Sequence, residues 1–156
     1  MDSYLSRAAA GGRQGAFLLL VAALVLGGCT VQLVADYDAA SFEETLRVGK
    51  MVDRFYGDLL DTPPGERAYA NFAATYIEIE AELRSLLARN KARPLNEESV
   101  AIAEIILKQW TARRDEHKKT GTYADGEARL DRDRFAREFA SAARAETYKA
   151  AGGSGQ

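Results

Sequence analysis

The chain has one cysteine, one histidine, one tryptophan and three prolines among 156 residues. Each scarcity closes off a class of chemistry. A lone cysteine, Cys29, cannot form an intramolecular disulfide, so the fold must rest on its apolar core even in an oxidising compartment. A structural zinc site takes about four ligands, and Cys29 with His117 falls short. The di-iron site of helical bundles needs a Glu-x-x-His on each of two helices; here the residue three before the single histidine is Arg114. No Gly-x-Ser-x-Gly nucleophile elbow occurs. His117 stands beside Asp115, Glu116 and Lys118 near the end of a predicted helix, where an imidazole interacts favourably with the helix dipole. Glu78, Glu80 and Glu82 alternate along another helix and cannot share one face. No catalytic constellation and no metal site is visible, so the expectation is a protein that is not an enzyme.

Charge of one sign is also missing. The chain carries 21 basic and 23 acidic side chains, a net charge of −2. That balance leaves no footprint for nucleic acid and no polybasic patch for anionic lipid. A long hydrophobic run is absent as well. The longest, Ala16 to Leu26, has eleven residues. As a helix it would span roughly 16 Å, short of a hydrocarbon core of roughly 30 Å.

That run has a different use. Arg7 and Arg13 precede it against one acid, Asp2, and two glycines follow it. Charged region, apolar region and small residues are the three parts of an export signal. The sequence Leu26-Gly27-Gly28-Cys29 resembles the lipobox of bacterial lipoproteins: an aliphatic residue, two small residues and a cysteine. The resemblance covers the first 29 residues. It implies cleavage between Gly28 and Cys29, a diacylglycerol on the Cys29 thiol and an acyl chain on its amine, with no other cofactor. More than one acyl chain is what stable anchoring requires. Enterobacterial lipoproteins retained in the inner membrane have aspartate after the cysteine. Thr30 stands there instead, which implies the outer membrane, with the body facing the periplasm. The Tyr37-Asp38 pair opening a helix resembles small helical proteobacterial lipoproteins of unassigned function, a likeness that implies no activity. The murein lipoprotein differs: its C-terminal lysine joins the cell wall, whereas this chain ends Ser154-Gly155-Gln156.

The expected organisation is a signal peptide over 1–28, a lipidated N-terminus and short tether over 29–37, a helical domain over 38–150 and a disordered tail over 151–156. Periodicity predicts four helices. Helix one spans about 39–60, capped by Asp38 with Tyr37 stapled to Phe42. Its apolar stripe is Phe42, Leu46, Val52, Phe55 and Leu59. Pro63-Pro64 ends it. Helix two, about 66–90, carries Phe72, Tyr76, Ile79, Leu83 and Leu86 at helical spacing. Helix three, about 97–118, follows a cap at Asn96 and has Val100, Ala103, Leu107 and Trp110 on one stripe. It is the most apolar and is expected nearest the centre. A long connection over 120–131 leads to helix four, about 132–150, capped by Asp131. Its stripe of Phe135, Phe139, Ala142 and Ala143 is thin, which predicts the least stable helix.

Short connections favour antiparallel neighbours, so the expected fold is an all-α, up-down four-helix bundle. The alternative is a three-helix core with a loosely packed fourth helix. Phe55, Tyr56, Phe72 and Tyr76 read as an aromatic core layer. Trp110, Arg113 and Arg114 are the candidates for an exposed partner-binding patch, because Trp and Arg are frequent interface anchors. The expected function is a membrane-anchored, non-enzymatic module that binds an envelope protein or supports an envelope complex. The alternative is a helical carrier of a small apolar ligand or lipid.

Overall fold

The computed structural model describes residues 34–153. The expectations for the signal peptide, for cleavage at Gly28 and for lipidation of Cys29 fall outside that range. Four helices follow in order: α1 Ala39–Asp61, α2 Tyr69–Lys91, α3 Glu97–Thr120 and α4 Asp125–Gly153. A 3-10 turn, Pro64–Glu66, sits between α1 and α2. The helices pack in a ring, α1 against α2 and α4, α3 against α2 and α4. The fold is an all-α four-helix bundle. Cross-helix pairs give the direction of each neighbour. Arg47 meets Glu82 and Glu44 meets Arg89 between α1 and α2. Lys91 meets Glu104 between α2 and α3. Asp53 meets Arg132 between α1 and α4. Early residues of one helix face late residues of the next, which is the antiparallel arrangement. These exposed pairs add little stability individually, but they mark register.

Local chemistry sets most helix ends. Asp38 accepts from the Ala40 and Ser41 amides at 3.3 and 3.2 Å and from Ser41 Oγ at 2.6 Å. The Ser41 hydroxyl leads the interactions that hold the Asp38 carboxyl below its ordinary range. The Tyr37 and Phe42 rings lie 6.3 Å apart, as an N-terminal staple requires. Gly121 closes α3 at φ 73°, a left-handed cap, with its amide donating to the His117 carbonyl at 2.8 Å. Glycine takes that backbone without the Cβ clash other residues meet.

The core is aromatic at the middle. Phe55, Tyr56, Tyr76, Trp110 and Phe135 are all buried. Phe55 lies 4.6 Å from Tyr76 and 5.1 Å from Trp110 by ring centroids, and Tyr56 stacks on Phe135 at 5.8 Å. Aromatic pairs at these distances add to the burial free energy of the rings. Gly49 lets α4 approach α1: a Cβ there would stand 3.0 Å from Phe139 Cγ.

Several expectations need correction. The connection before α4 is short, because α4 starts at Asp125 and continues to Gly153. Asp131 is therefore a residue inside the helix and buried, not its cap. Leu130 is exposed. The α4 surface is no loose flap, because Phe135 and Phe139 are seated in the core and Arg132 grips Asp53 through two bonds of 2.7 and 2.9 Å. Leu46 points outward, and the buried face of α1 runs instead through Ser41, Thr45, Val48, Val52, Phe55, Tyr56 and Leu59. Small hydroxyl residues serve there because Thr45 Oγ1 bonds back to the Ser41 carbonyl at 2.8 Å. On α3 the buried line is Ser99, Ala103, Ile106, Trp110 and His117, with Ile105 exposed. That helix is no more buried than α1. Asn96 makes no capping bond; its side chain is used elsewhere.

Candidate functional site

Among the described residues the ionisable and polar groups inside the bundle gather at its two ends. One end holds the α1–α2 and α3–α4 connections. Arg67 lies there, almost fully buried. Its Nε donates to the Thr62 carbonyl at 2.7 Å, Nη1 to the Tyr123 carbonyl at 3.2 Å and Nη2 to the Leu60 carbonyl at 3.2 Å. Nη1 also meets Asp125 Oδ1 at 2.5 Å. One planar fork thus satisfies carbonyls from the end of α1 and from the loop before α4. Without it those carbonyls would be buried at chain ends with no intrahelical partner.

His117 completes this end. Its Nε2 lies 2.8 Å from the Arg67 carbonyl, which only accepts, so Nε2 carries the hydrogen. Its Nδ1 meets the Tyr76 hydroxyl at 3.2 Å. The histidine stands in the last turn of α3, as expected, and it is also a buried cross-brace from α3 to α2 and to the segment before α2. The reason is spacing: His117 is seven residues after Trp110 and falls on the same inward face. Tyr123 Oη donates to Asp131 Oδ2 at 2.7 Å, and Arg134 reaches Asp131 Oδ1 at 3.0 Å. Burial pushes the hydroxyls of Tyr56, Tyr76 and Tyr123 above the usual phenol range, so all three are neutral near pH 7.

The other end holds the α2–α3 turn. Lys149, on α4, donates to Glu146 Oε1 at 2.5 Å, Asn96 Oδ1 at 2.5 Å and Ser99 Oγ at 2.7 Å. Arg93 Nη1 reaches the same Glu146 oxygen at 2.9 Å. Asn96 Nδ2 in turn donates to the Asn90 carbonyl and side chain at 3.0 and 3.1 Å. Burial raises the Glu146 carboxyl, but the bonds from Arg93 and Lys149 outweigh it and leave the group below its ordinary range. Glu146 Oε2 has no protein partner. It adjoins a cavity of about 10 Å³ lined by Thr45, Asn90, Ser99 and Ala142. That is room for about one water, against about 300 Å³ for a small-molecule site.

Sequence reasoning missed both clusters. A signal was nonetheless present on α4. Ala128, Asp131, Phe135, Phe139, Ala142, Glu146 and Lys149 follow one another at intervals of three and four, so the polar members share the stripe of the phenylalanines. What the sequence could not supply was the distant partners, which stand 47 to 58 residues away in the chain for the cross-helix contacts of Glu146, Lys149 and Arg67.

The expected exposed patch of Trp110, Arg113 and Arg114 does not form. Trp110 is fully buried, with Nε1 donating to the Tyr76 carbonyl at 3.2 Å. Its spacing is that of the core stripe, and its size makes it the centre of the aromatic layer. Arg113 faces Glu127 at 3.5 Å, and Arg114 pairs with Glu80 and Asp115. The two arginines are half-buried and occupied.

An open groove of about 280 Å³ runs between α3 and α4. Ile102, Ile105 and Ile106 form its apolar side, and Arg134, Arg137 and Glu138 its polar side. Burial raises the Glu138 carboxyl against an opposing bond from Gln109. No protein-family model, curated protein or solved structure matches the chain.

Proposed function

We propose that this chain is an envelope lipoprotein, acylated on Cys29, whose bundle acts as a non-enzymatic binding or structural module close to a membrane. The Leu26-Gly27-Gly28-Cys29 sequence carries the reading, together with the start of the body. The Ala35 amide donates to the Leu95 carbonyl at 2.8 Å, and Arg93 bonds the Asp36 carbonyl. The chain is therefore tied to the bundle within a few residues of the cysteine, with no Gly/Ser-rich spacer. A body so tethered works at the membrane surface. The buried groups best suited to chemistry, His117, Asp131, Glu146 and Lys149, are committed to internal bonds, which favours binding over catalysis.

The α3–α4 groove favours a second reading, a carrier of a small apolar molecule. Its floor of isoleucines and its arginine edge suit an acyl chain with an anionic head. The cavity beside Glu146 has no such room.

Intact mass spectrometry of the membrane-extracted chain, beside a Cys29→Ala variant with fractionation of both, tests the anchor. An acylated mass lost in the variant, with loss of membrane association, supports it; an unmodified soluble chain overturns it. Cross-linking in cells then separates the readings. A reproducible envelope protein partner supports the module. Co-purified lipid displaced by Ile105→Glu supports the carrier.

A further inference from the structure

Among the described residues, the end of the bundle with the α2–α3 turn gathers four of the eight exposed large apolar side chains; the other four, Leu46, Ile77, Ile105 and Leu130, stand one on each helix. Val34 is 53% exposed, Tyr37 40%, Leu95 42% and Tyr148 73%. Val34 and Leu95 are neighbours through the Ala35–Leu95 bond, and Tyr148 stands beside Lys149, whose ammonium reaches Asn96. At the opposite end, residues 61–68 and 121–127 expose no large apolar side chain among the described residues. Leu95 also holds a backbone φ of 57°, the single non-glycine residue at positive φ among those described. Pro94 followed by a positive-φ residue is the order of a type II turn, which ordinarily takes Gly or Asn at that second place. A leucine there is strained and half in solvent. Strain of this kind marks places where function selects the residue.

Five chain steps separate Cys29 from Val34. They reach at most about 18 Å. An acylated Cys29 therefore keeps this end, and not the other, within reach of the bilayer. We infer that the apolar end formed by Val34, Tyr37, Leu95 and Tyr148 is a membrane-contacting face that rests in the interfacial layer of the bilayer holding the anchor. The inference rests on the anchor reading above. Tyrosines suit that layer because the ring lies among the acyl ends while the hydroxyl stays wet. Four such side chains bind a membrane weakly alone, but the lipid makes the contact intramolecular and raises its effective concentration. Charge does not drive it. Lys91 pairs with Glu104 and Arg93 with Glu146, and Asp36, Asp38, Glu97 and Glu98 add acidic charge near this end. The contact is apolar, and it fixes the bundle end-on, with the Arg67 end presented outward to partners.

Cysteine labelling tests this directly, since Cys29 is the single native cysteine and is blocked in the acylated chain. Leu95→Cys, Tyr148→Cys and, at the far end, Gly65→Cys are each spin-labelled in the lipidated full chain and reconstituted into phosphatidylcholine vesicles. Gly65 has open space around it. The readout is the ratio of collisions with oxygen to collisions with a water-soluble paramagnet. The expected ratio at positions 95 and 148 is at least threefold that at 65, and within twofold of itself in vesicles containing anionic lipid. Tyr148→Cys keeps the test valid should labelling at 95 disturb the turn. Equal ratios at both ends, in a chain whose intact mass shows acylation, overturn the face and leave the anchor standing. An unacylated mass overturns the anchor and the face with it. A rise of the ratio only in anionic vesicles overturns the apolar contact.

Discussion

The two ends of the bundle solve the same problem by different chemistry. Each must close a set of helix termini whose outermost backbone groups have no intrahelical partner. At the Arg67 end the device is one guanidinium reading three carbonyls, backed by His117, Tyr76 and the Tyr123–Asp131 pair. Its bonds go mainly to backbone. At the α2–α3 end the device is a side-chain network centred on Glu146 and Lys149. Its bonds go mainly between charges and amides. A fork that satisfies backbone carbonyls is indifferent to pH near neutrality. A carboxylate held by two cations loses its contribution once acid protonates it. The comparison teaches that similar burial of polar groups can rest mainly on backbone carbonyls at one end and on a carboxylate held by two cations at the other.

The largest expected effect lies at the Arg67 end. Arg67→Ala leaves the carbonyls of Leu60, Thr62 and Tyr123 without this donor, at a cost of about 4 kcal/mol in urea unfolding. Arg67→Lys recovers less than half of that, because an ammonium lacks the planar fork. Full recovery by lysine would break the distinction, since it would make this end a matter of charge alone.

Glu146→Gln comes next, at about 3 kcal/mol at pH 7, because it removes the charge that compensates buried Lys149 and Arg93. The folded carboxyl lies below its unfolded value near 4.5. Its contribution is therefore fully present above about pH 4.5 and is lost as pH falls through the folded pKa. The difference between parent and variant should shrink below that pH. Glu138, eight residues earlier, has the opposite sign. Its folded pKa is raised, so Glu138→Gln should raise the neutral-pH melting temperature slightly.

A smaller pair of substitutions tests the waist between the ends. Gly49→Ala drives a Cβ against Phe139 and should cost about 1 kcal/mol even after the helix-propensity gain. Gly57→Ala meets no atom nearer than 4.0 Å, from Arg132, and should stabilise by about 0.5 kcal/mol. Equal effects would mean that α1 and α4 adjust freely, and that the ends alone hold the register.

The smallest effect is at Leu95. Leu95→Asn relieves the positive φ and should be neutral or stabilising by less than about 1 kcal/mol in thermal unfolding. A clear loss of stability would show that the leucine packs for the bundle, and would weaken the case that it serves a surface.

Four helices were legible from periodicity and punctuation. The Phe72–Leu86 stripe of α2, the Asp38 cap and the Pro63-Pro64 break need only local spacing, local bonds or a missing amide hydrogen. The start of α4 was not legible. Residues 125–131 contain Gly126 and three acidic residues, a composition that reads as loop, and they become helical because Ala128 packs in the core and Asp131 finds the Tyr123 hydroxyl. Tertiary contacts override propensity where a single turn has two buried anchors.

By itself the sequence determined the class of the body, the number of its helices and the Leu-Gly-Gly-Cys address that motivates an anchor, because each is written in residues adjacent or one turn apart. Only the tertiary structure decided which faces turn inward, that Trp110 belongs to the core and not to a surface patch, and that Arg67, His117, Glu146 and Lys149 are buried. The physical reason is partnership. A polar side chain can leave water only when donors and acceptors await it. For these residues most partners stand on other helices or connecting turns, more than thirty residues away in the chain, and the fold alone brings them within 3.2 Å.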